Sequence, residues 1–307
     1  MTSKKQKTLS REHAFTGKGL HTGQVSRMVL KPAPDNTGII FHRVDLGDDA
    51  FVEAVAENVS TTARSTTISK GEASVSTIEH LMSALTGMGV DNALIEIDNI
   101  EVPILDGSAR FYVEAILEDG LVEQSSDKRF VTIPEEMEIK DEATGSWIKV
   151  VPSDEPSVDL TVDFGSKVLG VQEAHWDCGT DYPTGIAPCR TFVFFHEIEF
   201  LFKNNLVKGG DVDNAIVIVE HPVEPGQVER LSDLFNVPRL AIDDKGYLNN
   251  LQLHFPDECG RHKLLDMIGD LALSGGILKA RVTAFKPGHS INTRMARAIR
   301  EAIYNKS

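Results

Sequence analysis

Three side chains able to bind a metal or move a proton recur at four-residue steps in GRHKLLDMIGDLALSGG (260–276): His262, Asp266 and Asp270. On a helix turning roughly 100° per residue they point along about 0°, 40° and 80°, one polar stripe on a cylinder whose other residues are mostly apolar. Burying an imidazole and two carboxylates is costly unless they are paired or coordinate an ion. HxxxD alone is explained more simply by a hydrogen-bonded pair, but a second segment shifts the balance. In STIEHLMSALTGMG (76–89), Glu79 and His80 open a helix of otherwise apolar or small residues. His80, His262 and Asp266 together would give two imidazoles and one carboxylate, with the fourth tetrahedral position of a zinc ion left open. The dication would neutralise Asp266, and the imidazoles need only lose a proton.

Water on such an ion has its pKa brought to about 7, and a neighbouring carboxylate can take its proton during attack on a carbonyl carbon. Glu79 is the candidate base; the bland alternative makes it the last member of a capping box opened by Ser76. His289, in GHS (288–290), is expected in a loop just beyond a strand end, where Asp270 could hold it protonated through a charge-assisted hydrogen bond.

The elements that must position these groups follow from period and punctuation. GKGLHTG (17–23) reads as a Gly-rich turn and GIIFHRVDL (38–46) as part of an antiparallel sheet. Residues 76–89 predict a helix stopped by Gly87 and Gly89, DNALIEID (91–98) a strand, and SARFYVEAILEDG (108–120) a second helix. A polar stretch, VEQSSDKRF, has no clear period, so a domain boundary is expected near Gln124–Asp127, giving domains 1–126 and 127–307. The second half repeats the logic: strands at RFVTI, SWIKVVP and VDLTVDF, a helical segment CRTFVFFHEIEFLFKNN, the 260–276 helix, the strand LKARVTAF (278–285) and a last helix INTRMARAIREAIYN. Each half carries a helix with a histidine near its start, followed by glycine and a strand, which suggests a duplicated fold.

A chain of 307 residues with 41% hydrophobic residues can build two medium cores. Apolar runs fall short of the roughly 18 residues of a membrane span, and the early lysines precede no secretory apolar core. The three cysteines, Cys178, Cys189 and Cys259, show no CxxC spacing, which speaks against a disulfide framework or thiolate zinc site and fits a reducing cytoplasm. A net charge of −15 disfavours nucleic acid and anionic membrane surfaces as partners. An anionic small molecule stays compatible, because a few lysines in one cleft can outweigh distant acids. A monomer is expected.

GLHTG, SxxEHLMSAL, LDGSA (105–109), CRTF (189–192), HKLLDxIGDL (262–271) and KPGHxxN (286–292) occur in this order, over nearly the whole chain. Together they resemble the UDP-3-O-acyl-N-acetylglucosamine deacetylases, zinc hydrolases of the committed step of lipid A (lipopolysaccharide) biosynthesis in Gram-negative bacteria. The resemblance implies an α+β fold of two similar domains, each a small, mostly antiparallel sheet layered with helices. The helices pack between the two sheets, the site lies between the domains, and a βαβ element is inserted in the second. It implies zinc on His80, His262 and Asp266, with Glu79 as general base. His289 would be the general acid or cationic stabiliser, oriented by Asp270, with Thr191 at the oxyanion and Phe192 against the sugar. Lys263 and Lys286 look like cationic contacts for the nucleotide, and Asp163 and Phe164 like the uracil site. The 3-O-acyl chain would run in an apolar passage lined by Phe194, Ile198, Val207, Gly210, Val212, Ala215 and Val217, although composition alone makes these ordinary core residues. Hydrolysis of the N-acetyl group would release acetate and a free amine. Some members of this family continue into a fused acyl-carrier-protein dehydratase.

Two other readings stay open at this level. Two histidines and a carboxylate also suit Fe2+, as a substitute for zinc or in a different metalloenzyme. The helix-borne spacing speaks against the barrel strands on which such iron sites usually form. A non-catalytic sugar-nucleotide binding protein is the other; it would have no need of Glu79.

Overall fold

The computed structural model describes residues 5–203, 208–224, 226–235 and 237–304. Two five-stranded sheets share one topology. The first comprises β1 (His13–Lys18), β2 (Val25–Pro32), β3 (Ile39–Arg43), β4 (Phe51–Glu53) and β5 (Ala93–Ile97), in the order β1-β2-β5-β3-β4. The second comprises β6 (Met137–Asp141), β7 (Ser146–Pro152), β8 (Ser157–Asp163) and β9 (Val171–Asp177); β10 (Phe192–Phe194) and β11 (Ile216–Ile218) pair separately before its last strand, β12 (Ala280–Phe285). Its order is β6-β7-β12-β8-β9. In both sheets the central strand runs antiparallel to one neighbour and parallel to the other: β5 between β2 and β3, β12 between β7 and β8. This is the expected α+β duplication.

Alternation makes the strands. Ala93, Ile95 and Ile97 of β5, and Ile148 and Val150 of β7, point inward, with their neighbours less buried. Helices α1 (Glu79–Met88), α2 (Arg110–Asp119), α5 (Glu258–Ala272) and α6 (His289–Tyr304) pack into the core between the sheets, while α3 (Phe195–Lys203) and α4 (Gln227–Phe235), numbered in chain order, pack with β11 in a separate apolar cluster. One continuous core joins Leu81 and Leu85 of α1, Leu264, Leu265 and Met267 of α5, Ile299 of α6 and inward residues of both sheets. The largest helix–helix contact is α1 on α5. It is close because Gly269 has no side chain; a Cβ there would collide with the backbone carbonyl of Glu79. A glycine in one half thus lets the Glu79 end of α1 approach the helix of the other half that carries His262 and Asp266.

Several local expectations are corrected. The capping box does not form: among the described residues no side chain caps α1, Ser76 Oγ donates to the Ile100 carbonyl at 3.3 Å, and the Glu79 carboxylate turns toward Thr66. Helix α1 ends on Gly89, whose φ of 79° suits the residue without a Cβ. The aperiodic stretch before Asp127 is a strand, Leu121–Asp127, because it pairs with Lys5–Leu9 at the other end of the first half. Among the described residues of the segment from Cys189, 192–194 are a strand and Phe195–Lys203 are helical, since β10 finds a parallel partner in β11. RFVTI contributes only Phe130–Val131, paired with Ile277–Leu278. His289 opens α6 instead of sitting in a loop. Among the described residues no helix is long and apolar enough to cross a membrane.

Candidate metal centre and active site

Helices α1 and α5 bring His80, His262 and Asp266 together with one donor atom from each within 4.8 Å of the others. All three are buried. Asp266 Oδ1 lies 3.5 Å from His80 Nε2 and 3.4 Å from His262 Nε2, and the two rings stand nearly perpendicular at 84°. Two of the other polar atoms of this group are already engaged. His262 Nδ1 lies 3.0 Å from the Cys189 carbonyl, an arrangement in which Nδ1–H donates and Nε2 keeps its lone pair for an ion. Lys263 Nζ donates to Asp266 Oδ2 at 2.8 Å, leaving Oδ1 buried with no hydrogen-bond partner. Burial drives the His262 pKa down to about 3, so its ring is neutral. Burial alone would raise Asp266, but the charges around it, the Lys263 ammonium at 2.8 Å above all, hold its carboxyl well below the ordinary value. An orphaned carboxylate oxygen facing two imidazole nitrogens is a donor set suited to a divalent ion.

On one side of this cluster stand Glu79 and His289, with Glu79 Oε1 3.7 Å from His289 Nε2. The second Glu79 oxygen accepts from the backbone N–H of Thr66 at 3.0 Å. Burial raises the Glu79 pKa, and the charges of His289 and His80 only partly oppose it. His289 Nδ1 meets Asp270 Oδ2 at 2.9 Å, so the third residue of the polar stripe orients it. Burial works against the imidazolium, but Asp270 and Glu79 push its pKa up to about 9. Asp270 is fully buried and further tied by Thr66 Oγ1 at 2.6 Å and Asn292 Nδ2 at 3.0 Å.

Thr191 and Phe192 follow. Thr191 is locked by backbone bonds to Gly107 and Ile216, and both residues line a cavity of about 140 Å³. Phe164 packs edge-on against Phe192 at 5.4 Å, and the adjacent Asp163 lies 3.4 Å from Lys286 Nζ. Of the residues expected along the acyl passage, Ile198, Gly210, Val212, Ala215 and Val217 line the same cavity. Val207 lies outside the described residues. Phe194 is not among the residues lining this cavity; it packs with Phe164 and Phe192 in a separate apolar cluster.

Sequence reasoning missed several groups. Thr66 touches both Glu79 and Asp270, and Leu231, Phe235 and Leu248 close the cavity from α4 and the segment beyond it. His21, whose pKa is lowered by burial, also faces the cavity. Its loop is held by Glu101, a fully buried carboxylate that accepts from the N–H groups of His21 (2.9 Å) and Thr22 (2.8 Å) and from the hydroxyls of Thr22 (2.8 Å) and Thr77 (2.9 Å). The Gly-rich turn and the Asn292 in KPGHxxN were visible as motifs; Thr66 and Glu101 carried no spacing signal.

These features define a class: duplicated α+β proteins with a candidate mononuclear metal site enclosed between their halves. The particular member follows from comparison with known proteins. The chain belongs to the UDP-3-O-acyl N-acetylglycosamine deacetylase family, whose model matches residues 6–234 and 237–301. It is 46% identical over 299 residues to the bifunctional enzyme LpxC/FabZ of Porphyromonas gingivalis and 45% identical over 299 residues to that of Bacteroides thetaiotaomicron. It spans 97% of its own length and 65% of theirs in both cases. With the UDP-3-O-acyl-N-acetylglucosamine deacetylase of Thioalkalivibrio sulfidiphilus it shares 38% identity over 298 residues, 96% of this chain and 90% of that protein.

Proposed function

We propose that this chain hydrolyses the N-acetyl group of a UDP-3-O-acyl-N-acetylglucosamine, giving acetate and the free amine in lipid A biosynthesis. The observation that carries the reading is the meeting of His80 with His262 and Asp266 beside the Glu79–His289 pair. Membership of the family and the activity named for the T. sulfidiphilus relative support the substrate. In this reading residues 1–126 and 127–307 are the two domains of a monomeric, cytoplasmic enzyme.

His80, His262 and Asp266 would hold the ion, zinc or in its place Fe2+, which when bound supplies Lewis acidity toward water and the amide carbonyl. Glu79 takes a proton from the attacking water as the new C–O bond forms; its raised pKa brings it nearer the operating pH of a general base. His289, cationic through Asp270, stabilises the developing charge and protonates the amine nitrogen as the C–N bond breaks. Thr191 stands at the oxyanion and Phe192 against the sugar. Lys263 adds positive charge beside Asp266, and Lys286, Asp163 and Phe164 hold the uridine diphosphate end. The 3-O-acyl chain lies in the cavity between Val217, Ile198 and α4.

Metal analysis coupled to acetate release from UDP-sugars of graded acyl length tests ion, reaction and passage together. Stoichiometric zinc or iron with acetate release is expected. A metal-loaded chain that releases no acetate from any of them would overturn the assignment.

A further inference from the structure

The crossover between β10 and β11 carries a second group of metal-binding side chains, remote in role from the first. The two strands are parallel and therefore end on the same side, so the segments leaving them diverge from one edge. His196 sits in the first turn of α3, directly after β10, and Glu220 and His221 lie just past the end of β11. One donor atom from each of the three lies within 4.8 Å of the other two. The imidazole rings are 5.7 Å apart and inclined at 52°. They border a cavity of about 310 Å³ with Phe195, Val219 and Pro222.

These donors have no other work. Among the described residues, no hydrogen bond or ion pair engages either imidazole or the Glu220 carboxylate. His196 is exposed, with its ring stacked on Phe194 at 5.6 Å and 25°. Two imidazoles and one carboxylate suit zinc and its neighbours in the first transition row, and poorly suit magnesium or calcium, which prefer all-oxygen shells. Partial exposure leaves remaining coordination positions to water.

We propose that His196, Glu220 and His221 form a second, weaker site for a divalent ion of the zinc, nickel or cobalt class, which staples together the two ends of the βαβ crossover. The consequence is local and mechanical. The ion ties the start of α3 to the exit of β11, and these two elements supply Ile198 and Val217 to the cavity wall. Through Phe194, the site also bears on the Phe164–Phe192 contact. The inference does not depend on the deacetylase reading, since its ligands are separate residues and its readout is binding.

The test uses the full chain carrying its one tightly held ion after dialysis. Calorimetric titration with Ni2+ and with Zn2+, with bound metal counted after rapid desalting, should show a second and weaker event of one ion per chain. Loss of a mere outer-shell partner costs a metal site about 10–100-fold, so His196→Ala and His221→Ala should each weaken the second event at least that much. The tightly held ion should stay in place in both. Saturating Ni2+ should slow amide exchange in residues 195–203 and 216–221 of the unsubstituted protein only. His196→Gln and His221→Asn, which keep polarity and size, serve if either alanine variant folds poorly. No binding beyond the ion already held, or a weaker event that survives both substitutions, would overturn the proposal.

Discussion

His289 Nδ1 lies 2.9 Å from Asp270 Oδ2, joining the first residue of α6 to a fully buried carboxylate in the last turn of α5. The same ring presents its other nitrogen to Glu79, so one imidazole is gripped from behind by one acid and faces another. Its proton is therefore held to about pH 9.

That pair sets the expected pH dependence. A raised imidazole pKa keeps the cation through neutrality, and activity that needs the cation falls as pH rises through about 9. The acidic limb should come from Glu79 and lie above the ordinary carboxylate range, because burial raises it. Asp270→Asn removes the charge that holds the proton, so the basic limb of kcat/KM should move toward lower pH. An unmoved basic limb in that variant, or in His289→Ala, would remove His289 from the role of acid.

Glu79→Gln keeps the shape and one oxygen to accept the Thr66 N–H, but cannot take a proton. It should retain the ion and lose about two to four decades of turnover. Near-normal kcat in a fully metallated variant would mean that another group is the base.

For Asp266→Ala the expected loss is of the ion itself. Two imidazoles remain, Lys263 loses its partner, and metal content after dialysis should fall well below one per chain. Stoichiometric metal in this variant would point to a different ligand set.

Gly269→Ala tests the approach of the two helices. The added Cβ meets the backbone carbonyl of Glu79, which cannot rotate away as a side chain could. Helices α1 and α5 must separate, at a cost of about 1–3 kcal/mol, and Glu79 must leave its place beside the donor set. Thermal denaturation should show a lowered Tm together with reduced kcat; an unchanged Tm would show that the contact is looser than described.

Glu101 accepts from four donors, of the His21 loop and Thr77. Glu101→Ala leaves those donors unsatisfied and frees the loop that frames the cavity; Glu101→Gln keeps partial acceptance. Longer acylated substrates should show a raised KM in the alanine variant, with substantial recovery in the glutamine one. Equal KM values in all three proteins would confine Glu101 to the fold.

What the residues alone determined was local. The 3.6-residue period put His262, Asp266 and Asp270 on one stripe, alternation marked β3, and the ordered motifs pointed to candidate donors and to the family. Spacing could not decide which atoms stay free, because that depends on partners brought from elsewhere in the chain. Lys263 takes one oxygen of Asp266 and the Cys189 carbonyl takes one nitrogen of His262, leaving the facing atoms for an ion. Glu79 illustrates the limit. It had the spacing of a capping box, yet the contact with Gly269 and the Thr66 N–H turn it into the site. The strand 121–127 had no period to betray it, since it is made by pairing with residues 5–9. The cavity owes Leu231 and Phe235 to α4, whose helical period reveals an apolar face but not what that face covers. Local periods are written in the order of residues; long-range burial and pairing appear only when the chain has closed on itself.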